Sequence, residues 1–385
     1  MRRIFLLAFA LLCSNLMFAQ NQLHKNTDIS NFSSSASHWY GIADKHNIIN
    51  PKKNQPKYKA DQLEAIGDNI IVYQKENGGW PKNYDMTAIL TPQQLDSIKG
   101  AKNILNTTFD NGTSYTHVAY LAGVYNVTHA ARFKETAVKG IKFILNAQYS
   151  NGGWPQYYPL QKNYSSHITY NDDAFIGIMK LLKEIGENDT EYGFLDKQLR
   201  NSVKAAFNKG ITCILNTQIT DKVGSAAWCQ QHDEYTLKPA WARAFEPAAI
   251  CSAESVGIVL LLMQLDKPAP RVIKAVQSAV AWFKASAIKG TRVETIKAKP
   301  DTSKFTISRT DRVVVEDINA PQIWTRYYEI DTRKPLFCNR DSKVVYSLAE
   351  VLRERRSGYA WYTYSPQKVI NRYAAWASKW GVKNY

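Results

Sequence analysis

Gln74 to Trp80 reads QKENGGW, Gln148 to Trp154 reads QYSNGGW, and a looser third copy, GSAAWCQQ, carries Trp228. Trp80, Trp154 and Trp228 stand 74 residues apart, and an equal period met three times marks stacked supersecondary units. Working outward, an apolar stripe at helical spacing precedes each copy. The second copy follows Val138, Ile141, Ile144 and Leu145; the third follows Ala206, Ile211, Ile214 and Leu215. The Gly-Gly pair is expected to stop the helix, because glycine tolerates the left-handed backbone of a C-cap. A loop and a second helix then follow. These second helices carry Val118, Leu121, Ala122 and Tyr125 in one unit, Phe175, Ile178, Met179 and Leu182 in the next, and Val256 to Met263 in the last. Antiparallel helix pairs of this kind fit a ring whose like loops emerge on one face, and a site is expected on that face.

The flanks differ in composition. Segment 20–56 is rich in Asn, Ser, Lys and Gln and is expected to be a poorly ordered lead-in or a surface arm. Residues 1–19 read as a cleavable signal, with Arg2 and Arg3 before the apolar run Ile4 to Leu12 and Ala19 closing the segment. That run is far shorter than the roughly 20 residues a bilayer span needs, so a secreted or periplasmic protein is expected. Segment 290–340 carries β-type runs at Arg312 to Val315 and Trp324 to Tyr328, which predict a small appended sheet or long loops in the C-terminal third. The domain reading is therefore a signal at 1–19, a lead-in at 20–56 and one catalytic helical domain at 57–385.

The 385-residue chain has 49 Lys plus Arg against 33 Asp plus Glu, a formal charge of +16, and 45% hydrophobic residues. The apolar content excludes a disordered chain, and the charge favours an acidic polymer; for an exported protein that is a polysaccharide rather than nucleic acid. Apart from Cys13 in the signal, Cys213, Cys229, Cys251 and Cys338 lack metal-type spacing, and both disulfides and buried thiols stay open.

The loops between each Trp and the following helix hold the reactive groups. The first ends in TFDNGTS with Asp110 and Asn111, the second in ITYNDDAF with Asp172 and Asp173, and the third contains LKPAWARAFEP with Lys238, Arg243 and Glu246. Singly, the aspartates are good turn and N-cap residues. Placed in equivalent loops of one repeat, they converge on one rim, and oxygen donors gathered there suit Ca²⁺. No zinc motif, phosphate loop or nucleophile elbow is present. Trp80, Trp154 and Trp228 are expected as packing wedges between repeats before they are expected to stack on sugars. Lys139-Gly140 and Lys209-Gly210 recur with the repeat and are read as structural.

Taken together, NGGWPQYYP, ITYNDDAF, WARAFEP, SAESVGI, WTRYYEIDTRKPLFCNRD and ERRSGYAWY resemble the family 10 pectate lyases, in matching order from about Tyr58 to Tyr362. The resemblance implies an all-α fold, an (α/α)3 helical toroid with short β segments and long loops in the C-terminal third. It implies cleavage of polygalacturonate by Ca²⁺-dependent anti β-elimination, giving 4,5-unsaturated oligogalacturonates. It places Asp110, Asp172 and Asp173 at the Ca²⁺, Arg243 as the base, and Arg326 and Arg340 on uronate carboxylates. Asn111 and Lys238 complete the expected substrate set, Lys238 as the neutralising lysine. The chain departs from the pattern between Lys289 and Arg312, where it carries a longer insert.

Three other readings compete. A helical-toroid terpene cyclase shares the Gln-x-x-x-Gly-x-Trp spacing but would need a D-x-D-D acid motif that is missing. A glycoside hydrolase would use Asp110 and Asp172 as its acid and base pair, and a uronate-binding protein would use the arginines as clamps. We expect a monomer acting on polygalacturonate, with no nucleic-acid or membrane partner.

Overall fold

The computed structural model describes residues 26–382 apart from 43, 45 and 46; the signal expected at 1–19 lies outside the described residues. All the helical stripes read from sequence fall inside helices: Ala131–Asn146, Lys197–Thr217, Tyr115–Thr128, Ala174–Glu187 and Ser252–Met263. No helix among the described residues is long and apolar enough to cross a membrane. Two compact units are formed. The first gathers the described residues up to Gln148 with Tyr157–Pro159 and Gly177–Phe207; the second holds Tyr149–Gln156, Leu160–Ile176 and the described residues from Asn208 onward.

In the first unit, helices Leu63–Tyr73, Tyr115–Thr128 and Ala131–Asn146 pack on one another. The repeat motif explains itself here. Helix Leu63–Tyr73 ends before the glycines, so the Gly-Gly pair is not its C-cap as expected. It instead shapes a separate turn in which the Lys75 amide donates to the Gly79 carbonyl and the Gly78 amide to that of Lys75. Gln74 clips that turn to the neighbouring helix, its side-chain amide donating to Gly78 O at 2.9 Å and Thr136 O at 3.0 Å. Trp80 is fully buried and its indole donates to Ile70 O at 2.7 Å. A Cβ at Gly140 would stand 2.8 Å from that indole, so the glycine of Lys139-Gly140 is the space the tryptophan fills.

Of the lead-in expected to be poorly ordered over 20–56, the described residues from Asn26 on are built into this unit. Asp28 caps a 3-10 turn, Ile29–Phe32, that runs into helix Ser33–Gly41. Phe32 and Trp39 are buried, and the Ser35 hydroxyl accepts the Asn83 amide at 2.7 Å. The Asn- and Ser-rich composition hid two aromatic anchors, and burying them offsets the entropy of ordering a polar segment.

In the second unit, helices Ser252–Met263, Pro270–Ala285 and Pro366–Lys379 pack together. The third repeat departs from the other two by a hairpin. Gln218 takes the role of Gln74, donating to Ala226 O and Ala275 O, both at 3.0 Å, and strands Thr220–Asp221 and Gly224–Ser225 replace the Gly-Gly turn. Trp228 keeps its place, with its indole on Ile214 O at 2.7 Å. The β-type runs become strands. Ile250–Cys251, Tyr327–Tyr328, Pro335–Cys338 and Val344–Val345 form a four-stranded antiparallel sheet, and Trp324–Thr325 pairs with Tyr362–Thr363. Arg326 is the residue where the run Trp324 to Tyr328 changes sheets, its amide bonded to Trp361 O and its carbonyl to the Ser252 amide. Segment 289–312, expected to be a longer insert, lies largely in a long hairpin, Thr291–Thr302 paired to Ile307–Glu316, with a bulge between Lys297 and Asp301. The four cysteines are buried free thiols.

Gly152 repeats the geometry of Gly78. Its φ is +94°, and a Cβ would lie 2.1 Å from Lys209 O. Left-handed backbone costs an L-residue about 1–2 kcal/mol, and the clash adds to it. Gly152→Ala is therefore expected to lower stability by at least about 2 kcal/mol in urea unfolding, whereas Gly100→Ala, with open space at the added methyl, is expected to be neutral. Equal behaviour of the two variants would contradict this account of the repeat turn.

Candidate active site

The backbone places the catalytic loops by one recurring bond. The carbonyl of each repeat tryptophan accepts an amide from the residue that leads toward the next helix: Thr108 to Trp80 at 3.0 Å, Thr169 to Trp154 at 3.1 Å and Cys251 to Trp228 at 2.7 Å. Counting from those residues aligns Asn111, Asp172 and Glu254. The first two are also alike in conformation, each the left-handed middle residue of a 3-10 turn, with φ of 54° and 52°. The sequence reading equated Asp110 with Asp172 and gave the third position to Arg243. The backbone instead equates Asp110 with Asn171 and gives the third position to Glu254, while Arg243 lies on the connection between Trp228 and Cys251.

Around Glu254 the second unit assembles a polar cluster. Arg326 is largely buried, and one Nη donates to Asn171 Oδ1 at 3.1 Å, Gln230 Oε1 at 3.2 Å and Glu254 Oε1 at 2.5 Å. Its Nε finds no acceptor among the described residues. The Glu254 carboxyl is pushed up to about 8, by burial first and then by the charges of Asp172, Asp173 and Glu246 against the opposing pull of Arg326. Asp173 Oδ1 lies 3.4 Å from where a Cβ at Gly257 would be, so this glycine leaves room for the carboxylate over helix Ser252–Met263. Asp172 accepts from the Asn171 side-chain amide at 2.5 Å.

Arg243 forms a two-pronged pair with Glu246, Nε to Oε2 at 2.8 Å and Nη2 to Oε1 at 2.5 Å. The arginine side chain is 45% exposed and the glutamate 2%, so a buried carboxylate aims an accessible guanidinium outward. Burial pulls the guanidinium down, but the bonds and charge of Glu246 outweigh it and hold Arg243 above its ordinary value. Glu246 also accepts the Tyr359 hydroxyl at 2.9 Å, Gln230 Oε1 accepts the Tyr327 hydroxyl at 2.6 Å, and the two phenol oxygens lie 2.8 Å apart. Gln230 is the same amide that touches Arg326, so a contiguous run of polar groups spaces the two arginines. Arg340 is forked onto Glu354, at 3.0 and 2.8 Å. With Arg243 it lines a cavity of about 650 Å³.

In the first unit, Asp110 is buried and paired with Lys82 through Oδ2, and its Oδ1 is buried with no hydrogen-bond partner. Lys82 is held above its ordinary value, the Asp110 and Tyr157 oxygens overcoming burial. Asn111 is tied to Asn83, its amide donating to Oδ1 at 3.0 Å. Lys238, expected as the neutralising lysine, is an exposed residue at the end of a turn built on Asp233, whose amide bonds Lys238 O. Lys82, two residues after the repeat tryptophan, was passed over because no spacing distinguished it from other lysines. The three repeat tryptophans are fully buried and act as packing wedges.

A further cluster was not read from sequence. Among the described residues, His167, Asp233 and Glu234 bring donor atoms within 4.8 Å of one another. Their bonds explain the cluster without an ion: His167 Nδ1 is 2.8 Å from Glu234 Oε2, and Asp233 Oδ1 accepts the Tyr235 and Thr236 amides. An imidazole is also a poor ligand for a hard cation.

The class of this helical scaffold, with its buried carboxylates and forked arginines, is that of the polysaccharide lyases. The pectic acid lyase family matches residues 74–370, and the chain belongs to that family. Its structure is similar to a family 10 polysaccharide lyase from Cellvibrio cellulosa, at 28% identity and a TM-score of 0.67, over 84% of this chain and 96% of that one. A mutant of that enzyme in complex with trigalacturonic acid matches equally, with 97% of its chain covered. No curated protein matches the chain. The fold class is that of the resemblance, the helical-toroid one, and the hydrolase, cyclase and simple binding readings fall with family membership.

Glu246 gives a test of the network. Burial raises its carboxyl but the bonds from Arg243 outweigh this and hold it below its ordinary value. A lowered acid adds stability above its unfolded value, about 4.3, and loses it as pH falls through the lower folded value. Glu246→Gln is therefore expected to lower the melting temperature most near neutral pH, with the gap to wild type narrowing in acid. A gap independent of pH would contradict the pairing.

Proposed function

We propose that the protein is a secreted pectate lyase that cleaves polygalacturonate by Ca²⁺-dependent anti β-elimination. The observation that carries the reading is the solvent-facing Arg243 guanidinium held from behind by buried Glu246, in a chain of the pectic acid lyase family. Elimination removes the C5 proton of a uronate and breaks the C4–O bond to the next sugar, leaving a double bond between C4 and C5, while the departing oxygen takes a proton from water to become a hydroxyl. Three needs follow: neutralisation of the uronate carboxylate, a base at C5 and a fixed sugar.

Arg326 and Arg340 are the cations the resemblance assigns to the uronate carboxylates, which a guanidinium binds through charge-assisted hydrogen bonds. Arg326 holds a buried Nε without an acceptor among the described residues, and Arg340, its Nε and Nη2 already on Glu354, lines the same cavity as Arg243. Arg243 is the proposed base. An arginine has a value above about 12 and is a poor base alone. Glu246, bonded to both Nε and Nη2, fixes the direction of the guanidinium but also favours its protonated form, so the guanidinium must first give up a proton to solvent before it takes the one from C5.

The residues fit a hard cation. Asp110 offers a buried carboxylate oxygen that lacks a partner, and in the second unit Asp172 and Asp173 bring carboxylate charge to Glu254. Asp110, Asp172 and Asp173 are the carboxylates the resemblance assigns to Ca²⁺, and all supply the oxygen donors this ion takes. When bound, the ion withdraws charge from the uronate carboxylate and so acidifies C5. The trigalacturonic acid held by the structural neighbour supports a galacturonate substrate, and Arg2 and Arg3 before an apolar run support export.

Two outcomes are expected. Incubation with polygalacturonate and Ca²⁺ gives a steady rise in ultraviolet absorbance from the conjugated product, abolished by a chelator and restored by excess Ca²⁺; release of reducing ends without that rise would point to hydrolysis. Arg243→Ala lowers kcat by about 10²–10⁴-fold while polygalacturonate binding persists, and near wild-type turnover would remove Arg243 from the chemistry.

A further inference from the structure

The hairpin Thr291–Thr302 and Ile307–Glu316 contains most of the segment expected from the sequence to depart from the family resemblance, and its tip does not stand free. Asp301, Ser303, Lys304 and Phe305 line the same cavity of about 650 Å³ as Arg243 and Arg340. The Phe305 ring lies against the Arg340 guanidinium, 3.8 Å from the ring centre to Cζ, and Lys304 Nζ stands 5.0 Å from the same ring. The hairpin is also fastened at its side. Arg353, from the short helix Arg353–Gly358, donates to Lys299 O at 2.5 Å, Thr310 O at 3.2 Å and Ser308 O at 3.3 Å, and Arg356 forks onto Asp311 at 2.7 and 2.6 Å.

From this geometry we infer that the hairpin tip is an added substrate subsite, in which Phe305 receives a sugar face and Lys304 binds a uronate carboxylate. The inference rests on the pectate lyase reading and extends it to chain-length preference. The charges favour it. Among the cations of the cavity, Arg243 is forked to Glu246, Arg340 to Glu354 and Arg353 is spent on backbone carbonyls, whereas Lys304 has no carboxylate partner among the described residues. Phe305 is 52% exposed, an apolar ring left open at the mouth of a cationic cavity, which is how a protein presents a stacking face to a sugar beside a charge that holds its acid group. Asp301 and Asp341 also line the cavity and repel a polyanion, which leaves Lys304 as its unpaired cation among the described residues.

The test uses the full chain with Lys304→Ala and Phe305→Ala, both exposed positions where folding is not at stake. On polygalacturonate each variant is expected to raise KM about five- to tenfold, the scale of one lost cation or stacking contact, with kcat within about twofold. On trigalacturonate, too short to fill every subsite, the change in KM is expected to be smaller. Lys304→Ala is also expected to weaken the salt dependence of polygalacturonate binding in affinity electrophoresis, and Phe305→Ala to leave it unchanged. Unchanged KM in both variants would overturn the subsite, and so would a fall in kcat at constant KM, which would mean that the tip only props Arg340. If wild type binds polygalacturonate but forms no unsaturated product, the lyase reading fails while the electrophoresis still decides the subsite; if wild type does not bind it, both fail.

Discussion

The bond from the carbonyl of each repeat tryptophan to the amide leading into the next helix is the constraint on which the rest depends. The indole of Trp80 is locked to Ile70 O and that of Trp228 to Ile214 O, so these tryptophans cannot slide along their helices. With the side chain buried and the carbonyl spoken for, the position three residues past Thr108, Thr169 or Cys251 is fixed in each repeat. Those positions hold Asn111, Asp172 and Glu254. Buried backbone groups must be paired, and here that requirement delivers oxygen donors at a repeated place in the chain.

The helices were legible in the sequence because their apolar spacing is a direct consequence of the 3.6-residue turn. The repeat was legible because its glutamine, glycine and tryptophan each do a job no other residue does: clip, turn and wedge. What the sequence concealed has physical causes. Gln218 stands ten residues before Trp228 rather than six, since a hairpin replaces the glycine turn, and a pattern keyed to Gly-Gly misses it. The order of segment 26–56 rests on Phe32 and Trp39 against a polar background. Asp110, Asp172 and Arg243 were legible in the repeat loops and Arg326 and Arg340 in the motif resemblance, whereas Glu254, Tyr327, Tyr359 and Gln230 are joined only by the fold, across up to 129 residues of chain from Gln230 to Tyr359.

The electrostatics of the second unit follow from that assembly. Two arginines are oriented by carboxylates, Glu254 for one and Glu246 for the other, and the phenols of Tyr327 and Tyr359 bridge between. Removing one partner of such a buried pair leaves an uncompensated charge, so the network is a device for holding guanidinium groups in place more than a source of stability. Arg340 shows the same economy, one face on Phe305 and its donors on Glu354. An acidic polymer meeting this surface encounters arginines whose directions are already set, which lowers the ordering cost of binding.

The central claim, that the bond to the leaving sugar breaks by elimination, is tested most directly by weighing the products of a defined oligogalacturonate with mass spectrometry. The account predicts fragments whose masses sum to that of the substrate, one of them short of a water because it ends in the C4 to C5 double bond. Fragments that together exceed the substrate by one water would show hydrolysis and contradict it.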